Sequence, residues 1–83
     1  MKSIDLLNSG GPILRAIKYN SDRFDIIDRY NYLVDILDAE EMKAFIHGKK
    51  VIIDSKNKAF DFTLYPEAMK PDIKVLNKFI EID

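Results

Sequence analysis

The stretch that most constrains the fold runs from Lys49 to Tyr65, KKVIIDSKNKAFDFTLY. Apolar residues alternate on both sides of a polar cluster, Asp54-Ser55-Lys56-Asn57-Lys58. Val51 and Ile53 share one face of the first arm; Phe60, Phe62 and Leu64 share one face of the second. Period two marks a strand with one covered face. Asn57 suits the turn, because asparagine tolerates a positive φ. A tip at Lys56-Asn57 sets Ile53 opposite Phe60 and Val51 opposite Phe62, all on one side. The other side carries Lys50, Ile52, Asp54, Ala59, Asp61 and Thr63 and faces water. A lone hairpin is marginal in water. The spacing therefore predicts an antiparallel β-hairpin over about 49–65 with helices packed on its apolar side.

The remaining segments fit helical spacing. Residues 1–9 allow a short first turn through Ile4, Leu6 and Leu7, broken by Ser9-Gly10-Gly11. Pro12 suits a first helical position, where its missing N–H is no loss. It opens a short helix with Ile13, Ala16 and Ile17 on one side. Over residues 22–37, Ile26, Ile27, Tyr30, Leu33, Val34 and Leu37 form one stripe at 100° per residue. Asp28 and Asp35 fall opposite that stripe, with Tyr32 and Ile36 beside them. Asp38 and Glu41 have capping-box spacing. They start a helix with Met42, Phe45 and Ile46 inward and Gly48 as its stop. Pro66 starts a single turn through Met69, and Pro71 with Asp72 starts a last helix. That helix carries two adjacent apolar stripes, Ile73, Leu76, Ile80 and Val75, Phe79, Ile82.

The expectation is an α+β fold of four to five helices on one hairpin, a single domain over residues 1–83. The expected core draws on Ile17, Ile26, Ile27, Tyr30, Leu33, Leu37, Phe45, Ile46, Val51, Ile53, Phe60, Phe62, Leu64, Leu76 and Ile80. At 83 residues such a chain buries about 60–65% of its unfolded surface. With no cysteine it has neither a disulfide framework nor a thiolate site. No apolar run exceeds three residues, and Asp5 interrupts any secretory apolar region. A cytoplasmic protein without a membrane segment is expected.

The net charge of −1 conceals segregation. Residues 23–41 carry two basic and six acidic side chains, whereas residues 42–58 carry five lysines and one aspartate. Screening acts over about 8–10 Å, so these blocks behave as separate patches. The order helix, helix, helix, hairpin resembles a winged helix-turn-helix, with Lys49, Lys50, Lys56 and Lys58 as a phosphate-contacting wing. The recognition helix would be residues 39–47, yet Asp38, Glu40 and Glu41 crowd its start and would be repelled by phosphates.

Chemistry has few candidates. His47 stands alone beside Gly48, where a helix end favours it. Asp22, Asp25 and Asp28 recur every three residues, but the nearby Arg23 and Arg29 favour a salt-laced face over a metal site. Ser9-Gly10-Gly11 lacks the lysine of a nucleotide loop. Ser3, Ser9, Ser21 and Ser55 lack a visible base partner. No enzyme, metal or cofactor is expected. The leading expectation is a small non-catalytic protein-binding module, accessory or inhibitor-like, that meets a basic partner through Asp28, Tyr32, Asp35 and Ile36 on an acidic helix. The lysine-rich wing binding nucleic acid is the alternative. A homodimeric structural subunit closed through the C-terminal helix is a second.

Overall fold

The computed structural model describes residues 2–82. Among them are six strands and two α-helices, which overturns the expectation of four to five helices on one hairpin. Strands β1 (Lys2–Asn8), β2 (Pro12–Asn20), β3 (Arg23–Asp28) and β4 (Leu33–Leu37) form an antiparallel sheet in the order β1-β2-β3-β4. Helix α1 (Ala39–Ile46) follows, then a small hairpin of β5 (Ile52–Ile53) and β6 (Ala59–Phe60). Short 3-10 turns at Phe62–Leu64 and Glu67–Met69 lead to helix α2 (Ile73–Glu81).

Where helices are expected over residues 13–19 and 22–37 and a short turn over 1–9, the described residues instead form β1, β2, β3 and β4. Register explains why. Ile4 pairs with Ala16 and Ala16 with Ile26; Lys18 pairs with Phe24 and Phe24 with Leu37. These side chains share the inner face, where Ala16, Phe24, Ile26 and Leu37 are buried. The next rows, Ser3–Ile17–Asp25–Ile36 and Asp5–Arg15–Ile27–Leu33, point to the other face. That outer face holds four aliphatic residues, and the inner face holds a lysine. Alternation between apolar and polar is therefore blurred in the sequence, and a helical stripe fits the same letters. Phe24, Ile26 and Ile27 on β3 and Val34 and Ile36 on β4 are aromatic or β-branched, which favours strands.

The core forms between the inner face and the two helices. Phe24 packs on Phe79 of α2 with ring centroids 5.9 Å apart. Phe45 of α1 meets Phe62 edge-on at 5.6 Å. Leu6, Leu7, Ile13, Leu14, Met42, Ile46, Ile52, Phe60, Leu76 and Ile80 complete the buried cluster. Of the expected core, Ile17 and Ile27 are only half-buried, and Tyr30, Leu33, Val51, Ile53 and Leu64 are exposed.

The hairpin is real but shorter and shifted. Ile52 opposes Phe60 and Ile53 opposes Ala59, one residue from the expected register. The loop has three residues, not two: Asp54 N–H donates to Lys58 O at 3.0 Å, and Asn57 N–H donates to Asp54 O at 3.0 Å. A type I turn followed by a residue with positive φ makes this geometry, and Asn57 has φ 63°. A one-residue slip exchanges the two faces. Ile52 is consequently buried, while Val51 and Ile53 point outward. Phe62 keeps its buried place from a 3-10 turn instead of a strand.

Helix α1 follows its expected signals. Asp38 accepts the Glu41 N–H at 2.8 Å, and Glu41 reaches back to the Asp38 N–H at 3.1 Å. At the other end Gly48 has φ 76°, Lys49 N–H donates to Ala44 O, and Gly48 N–H donates to Phe45 O. This is a Schellman ending. A Cβ on Gly48 would lie 2.5 Å from the Thr63 Cγ2. Gly48→Ala is therefore expected to destabilise the fold by more than about 2 kcal/mol, joining left-handed strain to a clash. Adding Thr63→Ala should restore the clash component alone, as read by urea unfolding.

Candidate functional site

Two five-residue turns of the same construction face each other across an open groove of about 690 Å³. The first is Asp28-Arg29-Tyr30-Asn31-Tyr32, joining β3 to β4. The second is Asp54-Ser55-Lys56-Asn57-Lys58, joining β5 to β6. In the first, the Asp28 N–H donates to Tyr32 O and the Asn31 N–H to Asp28 O, each at 3.0 Å. The Asp28 Oδ1 accepts the N–H groups of Tyr30 at 2.8 Å and Tyr32 at 3.0 Å. In the second, the Asp54 Oδ1 accepts the N–H groups of Lys56 and Lys58, each at 2.9 Å. Asn31 and Asn57 have φ 64° and 63°. Each turn thus locks itself, with an aspartate holding two N–H groups and an asparagine in the left-handed region.

The two turns differ in what they present. Tyr30 and Tyr32 are 70% and 71% exposed on one wall, beside Arg29 and Leu33. Lys56 and Lys58 stand on the other, with the Lys58 Nζ 5.2 Å from the Phe60 ring centroid. Ile13, Val34 and Phe60 line the groove with buried or half-buried apolar surface. Among the described residues, no carboxylate forms an ion pair with Arg29, Lys56 or Lys58.

This arrangement redistributes the residues singled out from sequence. Asp28 and Tyr32 belong to the groove, but on a turn and not on an acidic helix. Asp35 and Ile36 are neighbours along β4, so their side chains leave opposite faces. Ile36 lies on the outer sheet face with Ile17 and Asp25. The expected four-residue contact face is not assembled. Lys56 and Lys58 enter the groove, whereas Lys49 closes the end of α1 through its N–H, and Lys50 pairs with Glu41 at 3.6 Å. The winged order of three helices and a hairpin is absent among the described residues. The shared Asp-x-x-Asn-x spacing of the two turns is the sequence signal that points to the groove.

Other candidates have structural partners. The His47 ring Nδ1 lies 2.7 Å from Lys43 O at the end of α1. Asp22 accepts the Ala39 N–H at 3.2 Å, and Asp25 accepts from Arg23 at 3.0 Å. That hydrogen bond, and then the Asp25 charge, raises the Arg23 pKa above its ordinary value. Asp5 and Arg15 pair at 2.8 Å on the same outer face. Asn8 accepts the Gly11 N–H at 3.0 Å, and Gly10 has φ 73°, which makes residues 8–11 a turn between strands. Among the described residues, no three His, Asp or Glu side chains are grouped to hold a metal ion. No helix among them is long and apolar enough to cross a membrane. Val75 on α2 and Ile82 just past its end are exposed, while Phe79 is half-buried against Phe24.

Sequence spacing assigns no role to Lys18. It lies on the inner face, 4% exposed. Its Nζ donates to the carbonyls of Phe79 at 3.1 Å, Ile80 at 2.9 Å and Ile82 at 2.6 Å. A cation there satisfies carbonyls that the last turn of a helix leaves open and meets the negative end of its dipole. Comparisons with protein-family models, curated proteins and solved structures returned no significant match to this chain.

Proposed function

We propose that the chain is a small non-catalytic module that binds a partner protein in the groove between its two twin turns. The observation that carries this reading is a pair of large aromatic side chains, Tyr30 and Tyr32, held in the open by a turn that is internally locked. Tyrosines supply wide contact area with few rotatable bonds. A backbone already fixed by Asp28 has little further order to lose on binding. Asp28 serves as the organiser of the contact surface, with Tyr30, Tyr32 and Leu33 as its anchors and Lys56 and Lys58 as the facing wall.

Affinity capture from extracts of the source cells tests this. The wild-type protein is expected to retain partner proteins that a Tyr30→Ala/Tyr32→Ala variant loses by roughly tenfold or more, since aromatic anchors dominate interface energies. The melting temperature should hardly change, because both side chains are exposed. Asp35→Lys, outside the groove, should retain the same proteins. Identical recovery by the wild type and the double tyrosine variant would reject the groove.

A further inference from the structure

We infer that the occupant of the groove is an extended acidic peptide segment bearing an aromatic or large aliphatic side chain. The inference rests on the groove as the binding site and deepens it by giving the partner's chemistry. Charge complementarity carries it. The two aspartates in the groove, Asp28 and Asp54, each spend an oxygen on two backbone N–H groups of their own turn. The three cations, Arg29, Lys56 and Lys58, make no ion pair among the described residues. Both carboxylates keep their charge but turn an oxygen into their own turns, so the lining, with three cations against two aspartates, carries one positive charge in excess. A segment with carboxylates meets the cations, and an apolar side chain beside them reaches Val34 and Phe60.

Size and layout favour a short peptide over a nucleic-acid strand. A volume of about 690 Å³ takes a few side chains. A single strand needs cations in a track along its backbone. Here the positive residues stop at the two turns, because Lys50 is engaged by Glu41.

The test is selection of a displayed library of random 12-residue peptides on the intact protein, followed by affinity measurements on the recovered sequences. The expected result is enrichment of Asp and Glu together with Phe, Tyr, Trp or Leu. Lys56→Glu with Lys58→Glu should weaken these peptides by roughly tenfold or more, and rising salt should weaken them too. Lys49→Glu, a charge reversal outside the groove, should change affinity by less than about twofold. Basic or uncharged peptides that still depend on Tyr30 and Tyr32 would overturn the acidic ligand and leave the groove standing. Acidic peptides indifferent to Tyr30→Ala/Tyr32→Ala would overturn the groove itself. Failure to enrich any sequence would overturn the peptide ligand. Tight, tyrosine-dependent binding of a 12-nucleotide oligothymidylate in its place would do the same in favour of single-stranded nucleic acid.

Discussion

Lys18→Met is expected to lower the unfolding free energy by about 2–4 kcal/mol, the size associated with losing several charge-assisted hydrogen bonds in a covered site. Methionine keeps the apolar stem and removes the ammonium. The carbonyls of Phe79, Ile80 and Ile82 then lose the donor they share at the end of α2. Lys18 also tethers α2 to the second strand of the sheet, more than sixty residues away in the chain. The chain has 83 residues, and a domain of that length is stable by only roughly 4–12 kcal/mol. A loss on this scale lowers the melting temperature by on the order of 15 °C. The matched control is Lys74→Met on the exposed side of α2, expected to change stability by less than about 0.5 kcal/mol. Equal, small effects of the two substitutions in urea unfolding would mean that Lys18 does not bind the helix end.

Phe24→Ala is expected to cost about 3–5 kcal/mol, the range for emptying a large aromatic site in a core. Phe24 is fully buried, packs on Phe79, and lies 5.7 Å below the Lys18 Nζ. Its removal weakens the floor beneath the buried ammonium as well as the packing of α2. Phe24→Ala and Lys18→Met should therefore combine non-additively, as substitutions of touching residues do. The same residue separates strand from helix. A helix over 22–37 turns Phe24 away from the stripe of Ile26, Ile27, Tyr30, Leu33, Val34 and Leu37, and makes Tyr30 a core residue. The sheet reverses both assignments. Tyr30→Ala should then change stability by less than about 0.5 kcal/mol, while Phe24→Ala sits near the limit of what the chain tolerates.

The parts of the fold legible in the sequence were those specified by local backbone chemistry. Asp38, Glu41 and Gly48 mark the two ends of α1 by hydrogen bonds within a few residues of themselves. Pro66 and Pro71-Asp72 likewise announce the 3-10 turn and α2, where Asp72 accepts the Lys74 N–H at 2.7 Å. The four-stranded sheet was not legible, because its pattern depends on distant partners. Ile17, Ile27, Leu33 and Ile36 leave the outer face partly apolar, and Lys18 takes an inner position that only the end of α2 makes tolerable. With both departures, a period of two reads as a period near four. The β5–β6 hairpin was recognised as a hairpin, yet its register turned on the loop. Asp54 closes a three-residue loop where a two-residue tip was read, and the single extra residue exchanges Ile53 for Ile52 in the core.

The candidate site was legible in pieces. Sequence spacing places Asp28 and Tyr32 on an acidic surface and Lys56 and Lys58 on a separate basic one. Charge blocks along the chain suggested that separation, and folding the β3–β4 turn against the β5–β6 turn removes it. Asp28 and Asp54 do not form an acidic surface; each carboxylate organises the turn that contains it. Tyr30, assigned to the core by helical spacing, becomes a wall of the groove.

The twin-turn groove is tested most directly by the amide NMR spectrum of the folded protein, recorded with and without a saturating peptide from the displayed library. The groove predicts that the largest shift changes fall at residues 28–34 and 54–60 together, with the outer-face strand positions Ile17, Asp25 and Ile36 unmoved. Shift changes centred on that outer face, or on one turn without the other, would contradict it.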